Sequence, residues 1–337
     1  MAVTIRDVAK KLNLSITTVS RALDDYDDVA HTTRERVRST ARKMGYVPSR
    51  AARNLRRQRA DIIGYVIPAS GTRFTDPFFS EFIAGLGDQA VSHNFDLLIS
   101  TATPDTEKEK QLYARWVSSR LVDGIILSRL RLEDWRVEYL QRNHVPFVMH
   151  GRTQSKTKFP FIEIDSRAGF ALLVKHLVER GHRRIAYIGA PEKFTLQRDR
   201  YAGYQNGLSA ANIPLDKTLV CQGDLTRAGG YHAAQSLFQL RKPPTAIIGA
   251  NDLTAEGVLR AARERGIVVG RDLAVAGYDG TEVSEHTQPP LTTLRQPVYE
   301  TARKLVTMLI ALIQNEPLEP SQIILQPELI IRESTAG

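Results

Sequence analysis

Nine short β-rich runs, at 62–67, 95–100, 122–127, 146–149, 161–164, 184–188, 218–221, 245–248 and 273–277, alternate with helical patterns along most of this chain. The helical patterns lie at 79–92, 106–119, 167–180, 200–211, 228–239, 253–265 and 297–314. Such alternation builds parallel sheets covered by helices on both faces. More than eight strands is too many for one modest sheet, so two doubly wound lobes are expected. Ligands in such folds sit beyond the carboxyl ends of the strands, and two facing lobes make a cleft there.

The first sixty residues follow a different rule. Thr4 precedes an apolar set, Ile5, Val8, Ala9 and Leu12, spaced as one face of a helix. Asp7 completes a capping box with Thr4, with Asp in place of Glu. Asn13-Leu14 breaks the pattern, and Ser15 caps a second helix that turns Val19, Ala22 and Leu23 inward. Ile16, Thr17, Thr18, Ser20 and Arg21 then face outward. Two short helices joined by so brief a turn form a helix-turn-helix, whose second helix enters the major groove. Arg21 could hold guanine through two hydrogen bonds or grip a phosphate. An ordinary helical hairpin is the plainer alternative.

The acidic turn Asp24-Asp25-Tyr26-Asp27-Asp28 would repel phosphate and is expected to point away from DNA. Thr32 and Glu35 suggest another capping box, opening a helix with Val37, Ala41 and Met44 inward and Gly45 as its stop. From Pro48 to Arg59 the chain is strongly basic, with Leu55 its only large apolar group. At seven or eight residues its helical part is too short to stand alone in water. It could fold when DNA and a partner chain supply contacts, Leu55 wedging between base steps from the minor groove. A plain basic linker is the alternative. The expected divisions are 1–47 for the DNA reader, 48–60 for a hinge helix or linker, and 61–337 for the ligand-binding body.

Charge supports this division. Residues 1–60 hold fourteen Lys and Arg against six Asp and Glu, while the remaining 277 hold thirty-two against thirty-one. The basic excess thus sits with the DNA reader, where phosphate neutralisation uses it. No apolar h-region opens the chain, so a cytoplasmic location is expected. The single cysteine, Cys221, reads as a small core residue at a strand end rather than a nucleophile. No nucleophile elbow, phosphate-binding loop or zinc-helix motif is present, and the eight histidines lack metal-ligand spacing. No enzymatic activity, metal or cofactor is expected.

T-I-R-D-V-A-K-K-L-N-L-S, T-T-V-S-R-A-L, T-R-E-R-V and G-Y-V-P-S-x-A-A-R-x-L follow one another through residues 4–55. I-I-G-Y-V-I-P (62–68), D-P-F-F (76–79), V-D-G-I-I-L (122–127), N-D-L-T-A-E-G (251–257) and P-P-L-T-T-L (289–294) come later. With these motifs the chain resembles the LacI/GalR family of bacterial transcription regulators over essentially its whole length. The resemblance implies an all-α helix-turn-helix headpiece and hinge helix, then an α/β two-lobed domain like periplasmic binding proteins. It also implies chain crossovers near 162, 291 and 321. Lobe 1 would then hold about 61–161 and 291–320, and lobe 2 about 162–290 and 321–334.

DNA contacts are expected from Thr4, Ser15, Ile16, Thr17, Thr18, Ser20 and Arg21 in the headpiece and from Arg50, Ala52 and Leu55 in the hinge. The resemblance places effector contacts at Arg200, Asn251 and Asp279, a set suited to vicinal hydroxyls, and at Phe78 in the cleft mouth. Ser128, Arg129 and Asp165 are further strand-end candidates. Helix capping is the alternative for Asn251 or Asp252, a turn for Asp279, and core packing for Phe78; Phe79 is assigned to the core. Two departures stand out. Leu225 follows Gly223-Asp224 where the family often has an aromatic ring, and Gly280 follows Asp279 where it often has a second acid. The expected function is a C2-dimeric, ligand-controlled repressor of carbohydrate catabolic genes, released from a palindromic operator by a sugar inducer. The alternatives are a purine or other metabolite as effector, co-repression, activation, a cytoplasmic solute-binding protein, and a sugar-modifying enzyme. With no heptad helix after the last strand pattern, a dimer is expected over a tetramer.

Overall fold

The computed structural model describes residues 3–46, 59–69, 76–154 and 159–336. The chain forms two compact units that divide between Ala60 and Asp61.

In the first unit, α1 (Ile5–Leu12) and α2 (Ile16–Leu23) are joined by a three-residue turn. Asp7 accepts hydrogen bonds from the Thr4 backbone N–H at 2.9 Å and the Thr4 hydroxyl at 2.7 Å. Asn13 adopts the left-handed conformation that ends α1, and Ser15 accepts from the Thr18 N–H at 2.9 Å to start α2. α3 (His31–Lys43) has its N-cap two residues before the expected Thr32. Its N-cap is Ala30, so Thr32 lies within the first turn and makes no cap. Gly45, at φ +69°, ends it. Val8, Ala9, Val19, Ala22, Val29, Val37 and Ala41 form the core, with Ile5, Leu12, Leu23 and Met44 packed around it. These are the inward faces that periodicity picks out, joined by Val29.

The second unit holds two six-stranded sheets. Strands β1 (Ile62–Pro68), β2 (Asp96–Ala102), β3 (Gly124–Leu127), β4 (Phe147–His150), β5 (Phe161–Ile164) and β11 (Gln322–Leu325) form the first, in the order β11-β5-β4-β3-β1-β2, parallel throughout. Strands β6 (Ile185–Ile188), β7 (Val220–Cys221), β8 (Ala246–Gly249), β9 (Ala274–Asp279), β10 (Thr292–Arg295) and β12 (Glu328–Ile330) form the second, in the order β12-β10-β9-β8-β6-β7. Only the β10–β12 pair is antiparallel. Helices α4 (Pro77–Ser92), α5 (Glu107–Ser118), α6 (Trp135–Arg142) and α11 (Val298–Gln314) serve the first lobe. The second has α7 (Ser166–Glu179), α8 (Thr195–Ala210), α9 (Arg227–Phe238) and α10 (Asp252–Glu264). Each sheet carries an apolar layer on both faces, which is why its central strands are continuous buried runs such as Gly124-Ile125-Ile126-Leu127.

The crossovers differ from those expected. β5 lies wholly in the first sheet, so the first crossing, expected near 162, follows Ile164. β10 pairs with β9, which moves 292–295 from the first lobe to the second, and β11 pairs with β5, which moves 322–325 the other way. A four-residue strand carries no signal for which sheet it joins; lateral pairing decides. Helix α6 was not anticipated, and α8 starts at Thr195 rather than 200. Cys221 is half-buried, and burial raises its thiol pKa, as suits a packing role.

Candidate functional site

Two surfaces carry chemistry. On the first unit, Ile16, Thr17 and Arg21 are exposed along α2, Ile16 at 45%. Thr18 and Ser20 are half-buried, and the Thr18 hydroxyl shares a 2.8 Å hydrogen bond with Ser15. Ser15 and Thr18 therefore hold the start of the helix as well as facing outward. Thr4 is likewise committed to its cap. Contrary to expectation, the acidic turn reaches back to this surface. Asp28 pairs with Arg21 at 2.7 Å, and Arg21 lies over Tyr26 at 5.5 Å. Asp25 pairs with Arg38 on α3. Arg50, Ala52 and Leu55 lie outside the described residues.

In the second unit the carboxyl ends of both sheets converge on a cavity of about 90 Å³. One water needs about 10–15 Å³ on that scale, so a small molecule fits. Phe78, Ser128, Arg129, Arg200, Asn251 and Asp279 all line it. Asp165 does not; its carboxylate caps α7 by accepting from the Ala168 N–H at 2.9 Å. Capping was overlooked for Asp165 because a strand-end acid and a helix cap occupy the same place in a β-α connection.

Arg200, on α8, lies over the Tyr278 ring at 4.0 Å. Its Nη1 donates to the Ala250 carbonyl at 2.6 Å, while its buried Nε has no hydrogen-bond partner among the described residues. Asp279 ends β9 at φ +123°, a conformation rare outside glycine. Its Oδ1 accepts from Gln296 Nε2 at 2.7 Å. Burial pushes its carboxyl well above the ordinary range, against the pull of Arg200. Gly280 follows at φ +70°, where a Cβ would meet Arg295 Cα at 2.5 Å. No second acid fits there.

Asn251 lines the cavity with its polar atoms occupied. Oδ1 accepts from the Thr254 N–H and hydroxyl at 3.0 and 2.6 Å, and Nδ2 donates to the Leu225 carbonyl at 3.2 Å. Leu225, at φ +66°, leaves no aromatic ring at its position. Phe78 and Tyr278 supply rings elsewhere in the wall, and Phe78 stacks on Phe82 and His150. Phe79 is buried beneath Arg129. Arg129 Nη2 donates to Asp76 at 2.6 Å, and the Ser128 hydroxyl bonds the Tyr65 hydroxyl at 2.8 Å.

Sequence reasoning missed His150, Glu163, Asp199, Tyr278 and Gln296, all in the wall. His150, Glu163 and Tyr278 lie at the ends of strands, and strand-end position is the signal that could have found them. Burial lowers His150 to about 4, so its ring is neutral. Burial raises Glu163 to about 7, although Arg152 pairs with it at 2.6 Å.

Asp252, beside the cavity, holds the 279–281 loop. It accepts from the Thr281 N–H at 2.9 Å and from the Thr281 and Thr293 hydroxyls at 3.2 and 2.6 Å. Burial raises its carboxyl from 3.8 to about 7 despite these donors. The folded chain therefore keeps this proton until about pH 7, while the unfolded chain loses it near pH 4. Its contribution to stability should fall as pH rises through that window and then level off. Asp252→Asn is expected to flatten this part of the Tm–pH curve; an unchanged slope would mean that the folded carboxyl is already ionised.

Residues 4–49 match the bacterial regulatory proteins of the lacI family, and residues 174–335 match the periplasmic binding protein-like domain. The transcriptional repressor CytR of Escherichia coli is 35% identical over 99% of this chain and 96% of its own length. The chain belongs to the LacI family. The regulator CelR of Thermobifida fusca is 33% identical to this LacI-family chain, over 98% of each. A solved CelR–cellobiose complex has a TM-score of 0.77, at 31% identity over 98% of this chain and 99% of that one. The Lac repressor dimer bound to operator and the anti-inducer ONPF has a TM-score of 0.86, at 27% identity over 100% of both chains.

Proposed function

We propose that this chain is a sequence-specific transcriptional repressor of carbohydrate catabolic genes, released from a palindromic operator by a sugar inducer. It acts in the cytoplasm as a homodimer, whose two-fold symmetry matches that of the operator. The observation that carries this reading is the joining, on one chain, of an exposed recognition helix and a cavity walled by both sheets. The assembly and ligands of its relatives support it: one is solved as a dimer on operator DNA, another with cellobiose.

Thr17 and Arg21 read the major groove, Ile16 meets a thymine methyl, and Leu55 of the hinge wedges the centre of the site. Control is a difference in DNA affinity between two lobe arrangements. The present arrangement is held by contacts that span the lobes. The Thr195 N–H donates to the Leu130 carbonyl at 2.9 Å, and the Leu132 N–H to the Lys193 carbonyl at 2.9 Å. Lys193 also pairs with Asp105 at 2.6 Å. A ligand gripping both walls shifts this equilibrium. A nucleobase-bearing effector is the second reading, favoured by the Phe78–His150 stack in the wall.

Fluorescence anisotropy of a labelled palindrome, titrated at fixed salt and then challenged with sugars, tests the proposal. Salt-sensitive preference for the palindrome over random DNA, abolished by a sugar, is expected; equal affinity for both DNAs would overturn it. Arg21→Ala should weaken operator binding by about 1–3 kcal/mol if Arg21 reads a base, with a smaller loss on random DNA. Equal losses on both DNAs would reassign Arg21 to a phosphate.

A further inference from the structure

Asp28 takes one corner of the Arg21 guanidinium and leaves the rest of it uncommitted. Its Oδ2 lies 2.7 Å from Nη1, and the guanidinium carbon stands 5.5 Å from the centre of the Tyr26 ring. Nε and Nη2 make no hydrogen bond among the described residues, and the Arg21 side chain is 46% exposed. An arginine held in this way keeps its side-on edge, Nε with Nη2, for a two-pronged acceptor such as guanine O6 and N7.

The turn that carries Tyr26 and Asp28 is itself fastened at several points. The Tyr26 N–H donates to the Arg21 carbonyl at 3.1 Å, and the Val29 N–H to the Tyr26 carbonyl at 3.2 Å. Val29 sits in the headpiece core. On the α3 side Asp25 pairs with Arg38, and its carbonyl accepts from Arg34 Nη1 at 3.4 Å. Asp28 therefore stands on a braced support. Its neighbour Asp27 is fully exposed, lies 3.9 Å from Arg34, and forms no ion pair with Arg21.

We infer that Asp28 is a positioning residue for base reading: it holds Arg21 ready for a guanine edge and opposes its use on a phosphate. The inference rests on the reading of α2 as the recognition helix and of Arg21 as a base reader. An arginine already ordered loses little further side-chain freedom when it meets a base. A phosphate gains little from that ordering, since it is gripped in many arrangements and carries no sequence information. It also meets the Asp28 charge at close range. An ion pair this exposed contributes little to folding, so its removal should leave the headpiece intact.

Selection from a random duplex pool by the full chain supplies the operator for the test. Anisotropy at fixed salt then compares that operator with a random duplex. Asp28→Ala should weaken operator binding at least about fivefold over the two half-sites, while random DNA binds about twofold more tightly. The discrimination should fall at the same base pair where Arg21→Ala loses it. Asp27→Ala removes an equal charge from the same turn and should keep the operator preference within about twofold of wild type. Operator affinity that rises in Asp28→Ala in step with random DNA, or a preference that falls equally in Asp27→Ala, would overturn the inference. So would an Asp28→Ala effect of the same size in an Arg21→Ala chain, because the carboxylate would then act without the arginine. A wild-type chain that enriches no sequence overturns the DNA-reading assignment beneath the inference. Unchanged preference in Asp28→Ala overturns the inference alone.

Discussion

Replacing Arg200 with alanine is expected to raise the effector concentration for half-release of the operator by at least about tenfold, with operator affinity in the absence of effector unchanged. Arg200 combines a buried unpaired Nε, a hydrogen bond to Ala250 and a face laid on Tyr278. A charged hydrogen bond contributes about 1.5–3 kcal/mol. Its loss would also leave Asp279 in a buried site without the nearby cation that favours its ionised form. The headpiece is a separate compact unit, so its recognition helix should be untouched. The check is the anisotropy release curve of wild type and variant on one operator. A curve that does not move would remove Arg200 from the effector site.

Arg136→Ala is expected to lower unfolding free energy by about 3–5 kcal/mol, read from urea denaturation of the ligand-free chain. Arg136 and Asp134 are both buried. Arg136 Nε and Nη2 grip the two carboxylate oxygens at 2.8 and 2.6 Å, a bidentate pair. Nη2 also approaches the Ser128 and Arg129 carbonyls at 3.2 and 3.3 Å, so this side chain braces the cavity wall. Truncation strands a buried carboxylate. Burial alone would raise the Asp134 carboxyl, but the hydrogen bonds and charge of Arg136 outweigh it and hold it below 3.8. This pair's contribution is therefore present at neutral pH and fades as pH falls through the depressed pKa. The double variant Asp134→Leu, Arg136→Met should recover part of the loss, because an apolar pair strands no charge, while the Arg131 and Arg136 backbone N–H groups that Asp134 caps stay unpaired. If the single variant is as stable as wild type, the buried pair carries no stability.

Much of this molecule is legible without coordinates. The headpiece core follows from helical spacing, because Val8, Val19 and Val37 recur where one face of each helix must be apolar. Its helix ends follow from local chemistry at Thr4, Asn13, Ser15 and Gly45. Thr32 misled because a Thr-Glu pair three apart satisfies the capping rule in sequence, while the chain entering α3 already turns helical after Ala30. In the body, nine strand runs suffice to require two sheets, and strand ends point to Ser128, Arg129, Asn251 and Asp279.

Tertiary structure alone decided the rest. Lateral pairing sent β10 and β11 to sheets opposite to those expected, since four residues encode a strand but not its neighbour. The wall acquired Glu163, His150 and Gln296 because the ends of two sheets meet, a juxtaposition between residues up to 146 positions apart in the numbering. Burial, unreadable from a residue's type, divided the acids: it left Asp165 as a helix cap and raised the Asp279 and Asp252 carboxyls. By itself the sequence determined the headpiece, the two-sheet body and the family, because periodicity, capping and motif spacing are local. Which polar groups are spent on the protein and which remain for a ligand is a question of three-dimensional neighbours, and only the fold answers it.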